Sequence, residues 1–356
     1  MDELHQKIDK LIEDQYKTQK KFGELAQLAQ LFEFEFLNKL YNLLSDEFTG
    51  HYKKKAIELS LSWIDKRPLA SFCDDTFDYN GNKITQKVEV GDVAFMFHHQ
   101  LEASGTIVQE ESYSILMQAK RSNSNKEQKV PVTPSKTKNN SSEKEFTLLS
   151  KWPTFDLYKT SANKKSCQTK LKLTELEDND SKYAWYMVCP PRKLCQWDTR
   201  WMCAPPLRDS IFDVTLGQIF ESLYQRKKIK GYSSAIGKRF NYIRTWKHGQ
   251  DSSGISAWDT LNNEILVQCK ESSLPKHLFG HNAGQRVRSV DEYFELLDEL
   301  LLKGKIKLNG FDREEQQSSK TILGDILGVN NPDVDIESLL NVNAMPVLSV
   351  AIMSVD

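Results

Sequence analysis

The sequence predicts an α/β fold: a helix, a three-stranded meander, a second helix and a further strand, with an N-terminal helix before them. A largely helical C-terminal region ending in a strand follows. Three observations predict it. Apolar residues recur at helical spacing through the first 48 positions, β-branched and aromatic runs fill the stretch from 72 to 121, and the apolar segment Tyr183–Cys189 is closed by Pro190-Pro191.

Leu4, Ile8, Leu11 and Ile12 open the helical pattern, which runs on through Leu25 and Leu28 to Phe48 with only Gly23 interrupting. One long helix or two consecutive ones are expected, because no proline removes a backbone donor there. The first 21 residues form a separate amphipathic element. Its narrow apolar stripe suits another part of the chain, a partner such as an ATPase or sensor, or a second copy of this chain, and a free solvated helix is the alternative. Three strands are expected at Ile84–Val90, Val93–His98 and Tyr113–Ala119, divided by turns at Asn80-Gly81, Gly91-Asp92 and near Gly105. Residues 122–145 are polar and rich in Ser, Asn and Lys, so they read as a mobile loop. A short helix at EFTLLSKWPTF and the strand Tyr183–Cys189 complete a core over 22–205. Beyond it, 206–356 is expected to be mostly helical, with Leu216–Gln225 and Val290–Leu302 the clearest helices and Pro346–Val355 a final buried strand.

A chain of 356 residues with 39% hydrophobic content can bury a sizeable core. Its 48 basic and 49 acidic residues exclude a uniformly basic nucleic-acid binder. The six cysteines include no CxxC pair and suit reduced thiols. No signal-peptide core and no run of about 18 apolar residues is present, so a cytoplasmic protein that does not enter a membrane is expected. P-loop, nucleophile-elbow and dinucleotide fingerprints are absent, which disfavours nucleotide hydrolysis and serine-esterase chemistry.

Local charge is less even. Residues 121–172 carry 12 basic against 4 acidic residues, a net of 12 − 4 = +8, and 224–248 carry 8 basic and none acidic. In 224–248, Arg226, Lys227, Lys228, Lys230, Lys238, Arg239, Arg244 and Lys247 alternate with Tyr224, Tyr232, Phe240, Tyr242 and Trp246. Cations among aromatic rings suit a phosphate backbone with stacked bases, and Arg121 adds one more cation beside the loop. The stretch 291–356 is acidic, 13 against 5, and reads as solvated surface or a docking face for a basic partner.

The residues that carry chemistry lie on the expected strands. Asp92 opens V-A-F-M-F, while Gln118 and Lys120, two apart in I-L-M-Q-A-K-R, share a strand face. If those strands pair, a carboxylate, an amide oxygen and an ammonium converge. Hard oxygens of this kind bind Mg²⁺ or Mn²⁺, a bound metal activates water and polarises a phosphate, and a lysine stabilises the charge that develops.

Gly91-Asp92 followed by Gln118-Ala119-Lys120, within the helix–strand–strand–strand–helix–strand order over 22–190, resembles the PD-(D/E)XK, or restriction-endonuclease-like, nuclease superfamily in its QxK variant. The chain also resembles effector nucleases of bacterial anti-phage defence systems. The resemblance implies a Mg²⁺-dependent nuclease acting on DNA, with metal held by Asp92 and Gln118 and assisted by Lys120. It also implies a further metal-facing glutamate on the first helix. At 100° per residue Glu33 shares an apolar face with Leu37, Leu40 and Leu44, whereas Glu35 falls on the polar face with Glu24, so Glu33 is the candidate. Glu89 reads as a strand-surface charge or a second ligand. Asp259, Gln268 and Lys270 repeat the motif and offer a rival register. The alternative from another class is a non-catalytic nucleic-acid-binding or scaffold subunit of a larger complex.

Overall fold

The computed structural model describes residues 3–17, 23–47, 54–103, 106–122, 128–132, 141–173, 182–190, 199–274, 276–279, 285–286 and 335–355. They form a mixed α/β structure around one large mixed sheet, with seven α-helices among the described residues. The N-terminal pattern divides into α1 (Leu4–Tyr16), α2 (Glu24–Ala29) and α3 (Phe34–Asp46), with a 3-10 turn at Gln30–Phe32. The large sheet contains β1 (Lys54–Ile64), β4 (Val93–Ala103), β5 (Thr106–Arg121), β8 (Ala184–Cys189) and β14 (Met345–Val355). Short strands extend it: β9 (Met202–Ala204) and β10 (Val214–Thr215) beyond β8, and β12 (His277–Phe279) and β13 (Gln285–Arg286) beyond β1. A small sheet joins β2 (Leu69–Phe72), β3 (Val88–Glu89), β6 (Phe155–Tyr158) and β7 (Gln168–Leu171).

β4 and β5 form the expected antiparallel hairpin, in register Val93↔Met117 through Phe97↔Tyr113. Helix α4 (Ser141–Lys151) connects β5 to β8, which runs parallel to β5 with Gln118 beside Tyr186 and Lys120 beside Val188. Period-2 alternation sends one set of side chains to each face. Val93, Phe95, Ile115, Met117 and Trp185 pack with α1, α3 and α5 (Leu216–Gln225). Ala94, Met96, Leu116, Tyr186 and Val188 pack with α4 and with α6 (Ala257–Glu271).

The first strand of the meander is corrected. Only Val88–Glu89 of the expected Ile84–Val90 is a strand, and it belongs to the small sheet. Between residues 81 and 87 only Ile84 is buried, too little apolar surface to fix a strand face. The neighbour of β4 opposite β5 is instead β14, parallel to it, and β14 pairs antiparallel with β1. In the C-terminal region the described residues hold α5, α6 and α7 (Ile336–Asn341) with β10 to β14, including β11 (Lys238–Phe240). Helix α4 begins at Ser141, inside the expected loop, and Val130 and Val132 from that loop are buried. The expected helix Val290–Leu302 lies outside the described residues.

The apolar stripe of α1 is used within the chain. Leu4, Ile8, Ile12 and Tyr16 are buried against α5 and α3. The Tyr16 hydroxyl donates to the Gln27 carbonyl and accepts from Trp201 Nε1 at 2.7 Å. Gly217 permits the close crossing of α1 and α5, since a Cβ there would run into the His5 carbonyl oxygen. Asp9 Oδ1 accepts from Gly217 N at 2.9 Å, and burial, ahead of its hydrogen bonds, pushes its pKa up to about 6. A folded-state pKa above the ordinary 3.8 gives stability that is present below pH 4 and lost as pH rises through about 6. Asp9→Asn should therefore melt higher than wild type at pH 7.5 by on the order of 2 kcal/mol, with the gap closing toward pH 4.5. Thermal unfolding across that range checks this, and a gap independent of pH counts against Asp9.

Candidate active site

Antiparallel pairing of β4 with β5 sets Asp92 against Gln118: Asp92 N donates to Met117 O at 2.9 Å. The Asp92 carboxylate is 2% exposed, and its Oδ2 accepts from Gln118 Nε2 at 2.5 Å and from Ala119 N at 2.8 Å. Its Oδ1 pairs with Arg67 Nη1 at 2.8 Å, and the same guanidinium nitrogen holds Glu89 Oε2 at 2.8 Å. Lys120 lies one turn of the pleat further on and pairs with Glu145 Oε2 of α4 at 2.8 Å. Burial opposes the charge of Lys120, but Glu145, then Asp92 and Glu24, outweigh it and raise its pKa. The three residues that the motif brings forward do converge, on the sheet face that α4 covers.

A fourth carboxylate joins them from the other side of the sheet. Glu24, the first residue of α2, accepts from Arg121 N at 3.0 Å. Burial raises its pKa, with Lys120 lowering it and Asp92 raising it. Burial likewise raises Glu89, against the pull of Arg67. Taken as ionised, Asp92, Glu24, Glu89 and Glu145 face Lys120 and Arg67, a formal balance of 2 − 4 = −2. Excess buried negative charge is costly unless a cation relieves it. Gln118 Oε1 is also buried with no hydrogen-bond partner, and so is the hydroxyl of Tyr186, its register partner on β8.

These groups fit a hard divalent cation in charge and donor type: carboxylate oxygens and one amide oxygen. In the geometry present, Gln118 turns Nε2 rather than Oε1 toward Asp92, and Arg67 and Lys120 occupy the carboxylates. Rotating the Gln118 amide exchanges donor for oxygen, so an ion and the amide N–H compete for the same carboxylate. Among the described residues, the His, Cys, Asp and Glu groups with ligand atoms all within 4.8 Å of one another lie elsewhere: Cys167/His248/Glu264 and Glu3/His5/Glu221.

Glu33 does not join this group. The 3-10 turn and the extended backbone at Glu33 (φ −62°, ψ 139°) break the helical phase on which its choice rested. It is the N-cap residue of α3, half-buried, and the charge that acts on it is Asp335. Glu24, which that continuous phase set on the solvated face, is the helical acid whose charge acts on Lys120. Glu89 is not a lone surface charge: it is half-buried and shares Arg67 Nη1 with Asp92. The rival triplet is excluded as a strand motif. Asp259, Gln268 and Lys270 all lie on α6, where residues two apart diverge by 200°. Asp259 accepts from Asn241 N at 2.8 Å, Gln268 is buried and Lys270 is exposed.

The basic segment divides. Tyr224, Phe240 and Trp246 are buried core residues and not stacking platforms: the Tyr224 hydroxyl donates to Leu44 O and Trp246 Nε1 to Glu264 Oε1. Arg226 packs over Tyr113, with its guanidinium 3.5 Å from the ring centre, and donates to Ile236 O. Arg239 pairs with Glu111 and Arg244 with Glu110. Lys238, half-buried, lies on β11 beside Ser114. Lys227, Lys228, Lys230 and Lys247 are exposed, as is Arg121 beside Lys120. Ser114 and Lys120 are six residues apart on β5, so β11 crosses about 20 Å from the site. His98, buried against Ser112 Oγ at 2.7 Å, and His99 are about as far away.

Comparison with protein-family models, with curated proteins and with solved structures finds no match. Among the described residues no helix is long and apolar enough to cross a membrane.

Proposed function

We propose that the chain is a metal-dependent nuclease of the PD-(D/E)XK type, hydrolysing phosphodiester bonds of DNA. The observation that supports it is the meeting of Asp92, Gln118, Lys120 and Glu24 in a buried, acid-rich group whose amide oxygen has no partner. Asp92, Gln118 and Glu24 would hold Mg²⁺ or Mn²⁺, and the ion when bound supplies Lewis-acid polarisation of the phosphate and a more acidic water. Lys120, kept charged by its carboxylate neighbours, would stabilise charge developing on a non-bridging phosphate oxygen. The apolar neighbours Leu116 and Val188 fix the strand positions from which these side chains project.

Purified protein incubated with plasmid and linear DNA should cut with Mg²⁺ and stop cutting with EDTA. Absence of cutting in either metal with either substrate sinks the proposal. A second reading, a binding or scaffold subunit without chemistry, is favoured by one observation: the Arg67–Asp92 and Lys120–Glu145 pairs satisfy each other in the structure. DNA retention without cutting is its signature.

For grip on the backbone, the exposed lysines at 227, 228, 230 and 247 are the candidates. Lys227→Gln with Lys228→Gln and Lys230→Gln should weaken DNA binding and lower the slope of log K against log salt by about 3 if each lysine meets a phosphate. Filter binding between 50 and 200 mM salt reads the slope (roughly the range where counterion release dominates). An unchanged slope removes these lysines from the interface.

A further inference from the structure

Glu264, in the middle of α6, is fully buried and treats its two oxygens differently. Oε1 accepts three hydrogen bonds: from Gln168 Nε2 at 2.7 Å, Gly249 N at 2.8 Å and Trp246 Nε1 at 3.1 Å. Oε2 is buried and has no hydrogen-bond partner, and it faces His248 Nδ1 at 2.9 Å. Cys167 completes the group, with its sulfur, the His248 nitrogen and the Glu264 oxygen all within 4.8 Å of one another. We propose that Cys167, His248 and Glu264 bind a single borderline divalent ion of the Zn²⁺ class, a site separate from the one around Asp92.

The donor set decides the ion. Sulfur, imidazole nitrogen and one carboxylate oxygen suit Zn²⁺ and not Mg²⁺. In a tetrahedral site with Zn–S about 2.3 Å and Zn–N about 2.0 Å, ligand atoms stand about 3.3–3.6 Å apart. Edges of up to 4.8 Å therefore need to close by up to about 1.2–1.5 Å, and the His248–Glu264 edge of 2.9 Å must open slightly. The His248 side chain is 30% exposed, so the group is open to solvent on that side.

The surroundings hold these ligands in place. Gln168 Nε2 bridges Glu264 Oε1 and Gln250 O, the latter at 2.9 Å, so it ties the loop to the helix beneath it. Gly249 adopts φ +68°, a conformation that favours glycine, and a Cβ there would stand 3.4 Å from the Cys167 carbonyl oxygen. Cys167 N donates to Leu157 O at 2.8 Å, fixing the residue just before β7. Supporting hydrogen bonds that orient ligands in this way are what metal sites require.

A plain His–Glu ion pair, beside a thiol that donates to Leu157 O at 3.2 Å, is the rival account. Metal binding would break that S–H···O bond, the contact in which the two accounts differ. Binding then replaces the thiol proton by metal, with that proton released to solvent.

Full-length protein freed of metal by chelator dialysis and titrated with Co²⁺ tests this. One equivalent should bind with a near-ultraviolet thiolate-to-cobalt band and tetrahedral visible bands, and Zn²⁺ should displace it. Cys167→Ser should abolish the thiolate band, and His248→Gln should weaken Co²⁺ binding at least tenfold. Asp92→Asn should leave both signals unchanged, which separates this site from the proposed nuclease centre. Absence of a thiolate band in wild type overturns the proposal, as does a band that persists in Cys167→Ser or an affinity unchanged in His248→Gln. Circular dichroism in EDTA controls for folding. Should Cys167→Ser fail to fold, His248→Gln decides alone, because its ring lies at the surface.

Discussion

Asp92→Asn is expected to lower Mg²⁺-dependent DNA cleavage by at least about 10²-fold, the usual scale for removing one charged group that acts on the transition state. The substitution keeps the shape of the side chain and an oxygen able to accept from Ala119 N, whose bond to Asp92 is 2.8 Å. It removes the charge that an ion would need. Glu24→Gln should fall in the same direction, because Glu24, beside Arg121 N on α2, is the helical carboxylate whose charge acts on Lys120. Glu33→Gln should cut like wild type, since Asp335 and not Lys120 is its charged neighbour. Gln268→Ala and Lys270→Ala, on α6, should leave the Mg²⁺ dependence intact. Single-turnover cleavage of linear DNA reads the rate, and filter binding confirms that DNA is still held. Cleavage that survives Asp92→Asn and Glu24→Gln removes the site.

Local patterns explain what the sequence disclosed of this site. Strands adjacent in the chain pair directly, so alternation alone set Asp92, just before β4, on one face with Gln118 and Lys120 of β5. Strand β8 and helix α5 were equally plain, the helix announced by the Thr215–Gln218 capping box. Glu24 was missed for a physical reason. Carrying one helical phase from residue 22 to 44 ignores the break at Gln30–Glu33, and Gly23 was the available sign that a new helix starts at Glu24. Glu145 was hidden because the polar composition before it suggested loop. The signal was Ser141-Ser142-Glu143 ahead of Phe146 and Leu149, which is how a helix begins. Strand β14 next to β4, Arg67 next to Asp92, and the core burial of Phe240 and Trp246 depend on residues far apart in the chain. No local pattern announces such contacts.

Lys120→Met should destabilise the protein by about 3 kcal/mol or more, independent of any chemistry, because it leaves Glu145 buried beside Asp92 without its cation. The Lys120 and Glu145 side chains are 13% and 8% exposed, so water does little to replace the lost partner. Adding Glu145→Gln to Lys120→Met removes the stranded charge, and most of the lost stability should return, since replacing both partners of a buried pair is often close to neutral. Urea unfolding of the wild type, both single variants and the double variant measures the coupling directly. The double variant also separates two roles for Lys120. If the lysine acts on the scissile phosphate, the double variant regains its fold and stays inactive, with cleavage still at least about 10²-fold below wild type. If the lysine only holds Glu145 and the sheet together, cleavage returns along with stability. Recovery of both in Lys120→Met/Glu145→Gln would therefore reduce the triplet to a structural ion pair, whereas recovery of stability alone leaves catalysis as the role that Lys120 fills.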